Sequence, residues 1–348
     1  MNPAFPLRRT VFTMVTLLIA AFASSEAHAF DLQAHRGGRG LAPENTLAAF
    51  TQALNLGVTT LELDTVLTAD GVVVISHDAV LNPALTRGPD GAWLTAPGPA
   101  IRTLTLAQLK QFDVGRLKPD TRYAQGQPEQ QAVDGERIPT LDELFALVKQ
   151  RGDTQVRFNI ETKISPLQPE LTPAPQAFVE ALLAVIRRHG MEQRVTLQSF
   201  DWRALQTAQK LAPYLPRAHL SSQQSWGNNV ADPRWTGGLN LADHGSVPRL
   251  VKAAGGTVWS PYFGDVTEAL VKEAQALGLP VVVWTVNDPA QIETMLALGV
   301  DGIISDRPDR VRVAMAARGM ALPEPAAPPA DGRKRVPVKP RPGNQATE

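Results

Sequence analysis

Glu62 and Asp64 lie within the apolar run Thr60–Val66, and Glu161 and Lys163 close a second run that begins at Val156. Side chains alternate along an extended strand, so Glu62 and Asp64 share one face while Leu61 and Leu63 take the other. Glu161 and Lys163 share a face in the same way. Carboxylates confined to one interior face repel each other unless a cation lies between them. Three of them from two strands match a hard divalent cation such as Ca²⁺ or Mg²⁺, which takes oxygen ligands. Simple ion pairing, Glu161 with Lys163 and Asp64 with Arg36, accounts for either pair alone; the combination points to a metal.

His35-Arg36-Gly37-Gly38 ends one apolar run, and Ser76-His77-Asp78 ends another. Two imidazoles flanking an acidic metal site suit general acid–base work near neutral pH. The glycines after Arg36 permit backbone shapes closed to other residues, and Pro43-Glu44-Asn45-Thr46 opens a helix whose free N–H groups favour an anion. On their own these make a weak phosphate signal. His189 closes a long helix and suits its C-terminal dipole, while His219 and His244 have no motif around them.

The elements that must position these groups alternate. Strand candidates are Leu32–His35, Thr60–Val66, Val72–Ser76, Val156–Thr162, Val195–Gln198, Ala218–Ser221, Thr257–Ser260, Val281–Thr285 and Gly302–Ser305. Helix candidates between them include Glu44–Asn55, Leu141–Lys149, Pro175–His189, Trp202–Leu211, Val266–Leu277 and Pro289–Leu298. Such alternation implies parallel βαβ units, hence a doubly wound sheet or an eight-stranded barrel. There is one strand candidate more than a barrel takes, so one is misassigned or lies outside it. In a barrel the chemistry sits at the C-terminal strand ends, which is where His35, Asp64, His77 and Lys163 fall. Between about Asn82 and Ile138 the alternation breaks, with only Thr105–Phe112 helical in pattern, and this stretch reads as an insertion after the third strand. From Ala321 onward Pro, Ala, Lys and Arg dominate without apolar periodicity, and a disordered basic tail, 321–348, is expected.

A chain of 348 residues that is 43% hydrophobic can bury one large core. Lys+Arg and Asp+Glu are both 34, so no overall field draws it to nucleic acid, and no such partner is expected. Having no cysteine, it has no disulfide, thiolate nucleophile or sulfur-bound metal. Arg8 and Arg9, the apolar run Val11–Phe22 and Ala27-His28-Ala29 form the three parts of a secretory signal. The run is well short of the roughly 20 residues that span a bilayer. Cleavage after Ala29 and a periplasmic or secreted mature protein, with no stable membrane insertion and a folded domain over 30–320, are therefore expected.

Taken in order, these motifs resemble the glycerophosphodiester phosphodiesterase family. The likeness runs through His35-Arg36-Gly37, Pro43-Glu44-Asn45-Thr46, Glu62-Leu63-Asp64, Thr68-Ala69-Asp70-Gly71 and His77-Asp78. It continues with Ile138-Pro139-Thr140-Leu141-Asp142-Glu143, Asn159-Ile160-Glu161-Thr162-Lys163, Gln198-Ser199-Phe200-Asp201, Trp284-Thr285-Val286-Asn287 and Gly299-Val300-Asp301-Gly302-Ile303-Ile304-Ser305-Asp306. The resemblance implies a TIM-barrel-like (β/α)8 fold and hydrolysis of glycerophosphodiesters to glycerol 3-phosphate and an alcohol. It implies one divalent metal, Ca²⁺ or Mg²⁺, held by Glu62, Asp64 and Glu161, with Arg36 and Lys163 on the phosphate. His35 and His77 would form the acid–base pair and Trp284 would line the pocket, with Phe200 and Tyr262 as weaker candidates. Attack by the substrate's own glycerol hydroxyl, through a cyclic phosphate, is the route the likeness suggests. A lipid-cleaving relative of the same barrel would need an exposed apolar rim, which the sequence does not display, and a non-catalytic binding protein would have no use for two imidazoles.

Overall fold

Short apolar runs followed by amphipathic helices set the architecture. The structure, a computed structural model, describes Met1 and residues 29–327; the expected leader and the last part of the tail lie outside the described residues. Its strands are β1 (Asp31–Ala34), β2 (Thr60–Leu67), β3 (Val73–Ile75), β4 (Arg157–Thr162), β5 (Val195–Ser199) and β6 (Arg217–Ser221). They continue with β7 (Gln223–Gln224), β8 (Gly227–Asn228), β9 (Val258–Pro261), β10 (Val282–Val283) and β11 (Gly302–Ser305). Neighbours run β10-β11-β1-β2-β4-β5-β6-β9, parallel throughout. Parallel bridges Trp259–Val281 and Tyr262–Trp284 bring the two ends together. The result is a nearly closed eight-stranded barrel rather than a doubly wound sheet. The surplus strand candidate is β3, which pairs antiparallel with β2 and lies off the barrel path.

Outside the barrel pack α1 (Leu47–Leu56), α4 (Leu141–Gln150), α5 (Pro175–His189), α6 (Trp202–Leu211), α7 (Val247–Ala253), α8 (Glu268–Ala276), α9 (Pro289–Ala297) and α10 (Pro308–Ala317). Start signals are visible locally. Thr140 and Glu143 form a capping box on α4, and Thr46 accepts the Ala49 N–H at the start of α1. One continuous core joins strands to helices, with Phe50, Phe145, Phe158 and Phe178 fully buried in it.

The segment between β3 and α4 carries two short helices, α2 (Leu106–Leu109) and α3 (Arg122–Gln125). It has a small core of its own, in which Leu81, Ile101, Leu109 and Ile138 cover Val66 and Val74. The expected disorder from Ala321 is corrected at its near end. Ala326 is buried against the core, its N–H donates to the Leu54 carbonyl at 2.9 Å, and Arg312 Nη1 donates to Pro323 O at 2.7 Å.

Candidate active site

All eight residues of β2 are buried, with Glu62 and Asp64 on the inner face and Leu61 and Leu63 against the helices. Pairing with β4 sets Asp64 opposite Glu161. As a result carboxylate oxygens of Glu62, Asp64 and Glu161 lie within 4.8 Å of one another, all buried. Burial, then the neighbouring Asp64 charge, pushes Glu62 well above the usual carboxylate range. Glu161 is pushed up to about 7 by burial, against the pull of Lys163. Asp64 goes the other way: burial opposes ionisation, but Arg36 and Lys163 hold it low. The cluster thus holds more negative charge than its neighbours balance, and an all-oxygen set of this kind fits Ca²⁺ or Mg²⁺.

Both ion pairs weighed from the sequence are present beside that cluster. Lys163 Nζ lies 2.9 Å from Glu161 and 3.6 Å from Asp64, and Arg36 Nε lies 3.2 Å from Asp64. Arg36 Nη1 donates to Glu44 Oε1 at 2.9 Å. His35–Gly37 form a single 3-10 turn rather than a strand end, and Arg36 has φ of 52°. That strained conformation aims the Arg36 N–H at Glu62 Oε2, 2.8 Å away. Gly37 has φ of +80°, and a Cβ there would meet Ala49 Cβ at 2.8 Å, so the turn admits only glycine.

His35 Nδ1 lies 2.5 Å from Asp306 Oδ1, and His77 Nδ1 lies 2.8 Å from Asp78 Oδ1. With each Nδ1 engaged by a carboxylate, each Nε2 is left for proton transfer. Burial lowers His35 to about 4 despite the Asp306 charge, and burial followed by Lys163 and Arg36 lowers His77. A cavity of about 300 Å³ opens beside His77, Glu161 and Lys163, lined also by Phe200, Ile164 and Leu171.

Residues 35–310 match the glycerophosphoryl diester phosphodiesterase family. The chain belongs to that family. A glycerophosphodiester phosphodiesterase of Caldanaerobacter subterraneus is 31% identical over 79% of this chain and 93% of its own length. Among solved structures, a candidate glycerophosphoryl diester phosphodiesterase of Silicibacter pomeroyi superposes with a TM-score of 0.77 at 38% identity, covering 84% of this chain and 95% of that one. A phosphodiesterase of Oleispira antarctica, solved with its product sn-glycerol-3-phosphate, gives 0.60 at 26% identity, over 82% and 96% of the two chains.

Within the family fold, the barrel mouth brings His35, Arg36, Glu62, Asp64, His77, Glu161 and Lys163 together. Trp284, half-buried just past β10, meets the Phe200 ring edge-on with ring centres 5.2 Å apart. His189 lies in the last turn of α5, where a cation suits the dipole, and also reaches Asp142 at 2.8 Å. His219 is buried in the wall against Trp202.

Several polar partners carried no role in the sequence reading. Asp306 accepts from Arg39 Nε at 2.7 Å as well as meeting His35, Asn45 Nδ2 donates to Asp64 at 3.0 Å, and Gln198 Nε2 donates to Glu62 at 2.6 Å. Tyr123, from the insertion, donates its hydroxyl to Glu44 and accepts from Arg39 Nη1 at 2.9 Å. Asp306 follows β11 immediately, so its place just past a strand end was a signal available in the sequence. Tyr123 had none, because the insertion has no periodicity to place it.

Proposed function

We propose that the protein hydrolyses glycerophosphodiesters to glycerol 3-phosphate and an alcohol, using a divalent metal at Glu62, Asp64 and Glu161 and the imidazoles of His35 and His77. The observation that carries this is the β2–β4 register, which sets a buried three-carboxylate cluster next to Lys163 and Arg36, between two carboxylate-anchored imidazoles. The product bound to the Oleispira relative supports the same substrate class.

Arg36 and Lys163 meet the phosphate's negative charge as it builds in the transition state. When bound, a divalent cation at the carboxylates supplies Lewis-acid stabilisation of that charge and lowers the pKa of a nearby hydroxyl. One imidazole takes the proton of the attacking hydroxyl and the other protonates the departing alkoxide. No Gly-x-Ser-x-Gly elbow and no cysteine occur in the chain, which leaves water or the substrate as the nucleophile. The substrate's own glycerol hydroxyl, already held beside phosphorus, has the proximity advantage, and the cyclic phosphate it forms is then opened by water to give glycerol 3-phosphate. The leader with Ala27-His28-Ala29 supports a periplasmic or secreted site of action, and among the described residues no helix is long and apolar enough to cross a membrane.

The test is turnover of several glycerophosphodiesters by the purified protein, with and without chelator, beside a substrate lacking the neighbouring hydroxyl. Chelation should abolish turnover and the deoxy substrate should be inert. Full activity of metal-stripped protein would refute the metal, and normal turnover of the deoxy substrate would refute internal attack.

A further inference from the structure

The half of the mouth facing the charged cluster is built of rings. Phe200 follows β5, Tyr262 follows β9, Trp284 follows β10, and Trp226 stands in the turn of the β7–β8 hairpin. Ring centres are 5.2 Å apart for Phe200–Trp284, 5.6 Å for Trp284–Tyr262 and 5.2 Å for Tyr262–Trp226. Successive rings meet at 89°, 62° and 84°, the edge-to-face geometry that ring quadrupoles favour, so the four form one continuous wall. Its inner end, Phe200, lines the same cavity as Lys163 and Glu161. Its outer end, Trp226, is 62% exposed.

The hairpin does not need an indole there. Two-residue turns between antiparallel strands favour Gly or Asn, with positive φ; here the turn residues are Ser225 and Trp226, and neither has positive φ. Nor is the turn loose. Asp265 accepts from the Gln223 N–H at 2.7 Å and from Gln224 Nε2 at 2.5 Å, and Asn229 Oδ1 accepts from the Ser222 N–H at 2.9 Å. A large ring is therefore presented to solvent on a fixed support, at the outer end of the ring series that begins with Phe200 in the cavity.

Charge decides what it meets. On the phosphate side Arg36 and Lys163 offer cationic donors beside the carboxylates that would hold the divalent cation. Beside the rings lies the Asp265 carboxylate, which holds the hairpin that carries Trp226. That division matches a zwitterion, anionic at the phosphate and cationic on the leaving alcohol, because ring faces attract alkylated ammonium groups. An acyl chain would instead call for an aliphatic trough, and this wall is aromatic along its length. We propose that Phe200, Trp284, Tyr262 and Trp226 form a subsite for a quaternary ammonium on the leaving alcohol, which makes choline-type glycerophosphodiesters the preferred substrates. This rests on the phosphodiesterase function proposed above.

The test is the ratio of kcat/KM for glycerophosphocholine to that for glycerophosphoglycerol, measured with metal on the full chain and its Trp226→Leu and Trp226→Phe variants. Leucine keeps apolar area but has no ring face. The ratio should fall about 3- to 30-fold in Trp226→Leu, mainly through KM, and stay within about twofold in Trp226→Phe. Tyr262→Leu should act in the same direction. An active enzyme whose ratio is unchanged by Trp226→Leu overturns the subsite and leaves the phosphodiesterase function standing. A loss seen only with micellar lysophosphatidylcholine also overturns it, in favour of a lipid-facing rim. A wild-type protein that cleaves none of these diesters overturns the phosphodiesterase function and the subsite with it.

Discussion

At the residue scale the site is a set of paired charges whose balance fixes proton positions. His35 depends on Asp306, which holds Nδ1 at 2.5 Å and is itself held ionised, burial notwithstanding, by His35 and Arg39. Asp306→Asn keeps the shape but removes the charge that raises the His35 pKa, so the imidazole should titrate lower still and be misoriented. The expected result is a loss of kcat of about 10²–10⁴-fold with a smaller change in KM, comparable to His35→Ala. Where the acid limb of the pH–kcat/KM profile reports His35, it should lie below the ordinary imidazole value of 6.5 and move lower in Asp306→Asn. A purely structural role would lower activity without moving that limb, and an unmoved limb would refute the positioning. Much of this scale was legible from alternation: β2 could only send Glu62 and Asp64 to one side. What alternation could not give is the register that sets Asp64 opposite Glu161, because pairing across about a hundred residues leaves no local trace.

At the scale of elements, helices with a sustained apolar period fell where that period put them, as with α5 and α6, while α7, only seven residues long despite its Ser246 cap and Pro248, and α10, which opens at Pro308 without a side-chain cap, were missed. The hairpin bearing Trp226 was missed because strands of two residues are too short to show a period. The tail boundary erred for a related reason. Composition from Ala321 is poor in apolar residues, yet a single alanine suffices to dock where a helix end leaves carbonyls free. Ala326 N–H bonds Leu54 O, and Arg312 Nη1 reaches Gly57 O at 2.6 Å and Pro323 O. A chain ended after Ala321 should lose the Ala326–Leu54 and Arg312–Pro323 contacts and melt about 2–4 °C lower, the shift expected for roughly one lost kcal/mol. A chain ended after Ala327 should melt like the full protein. Equal melting of the two truncations would show that 322–327 contributes nothing.

For the whole molecule, stability and metal binding must be coupled through protons. Glu62 is raised well above its usual value and Glu161 to about 7. Without metal, the folded protein therefore binds protons at these groups that the unfolded chain, titrating near the ordinary carboxylate value of about 4.5, does not. Their contribution favours the folded state as pH falls from about 7 to 4.5, and is lost as pH rises through the folded values. His35, lowered to about 4, His219, lowered to about 3, and His77, also lowered, all chiefly by burial, act oppositely, costing stability as pH falls below about 6.5. Over the shared window the two sets offset each other, so metal-free protein should show a shallow dependence of Tm on pH. A divalent cation changes this, because ligands must be ionised to bind it and binding releases their protons. At a concentration about 100-fold above Kd the gain is about 2.7 kcal/mol, or a rise in Tm of several degrees for a domain of this size. That rise should be present at pH 8, shrink as pH falls through about 7, and be nearly gone at pH 5. Melting curves with Ca²⁺ or Mg²⁺ against chelator at pH 5 and 8 measure it directly, and Glu161→Gln should abolish it at both. An equal increment at the two pH values would mean that the cation binds somewhere other than the Glu62, Asp64 and Glu161 cluster.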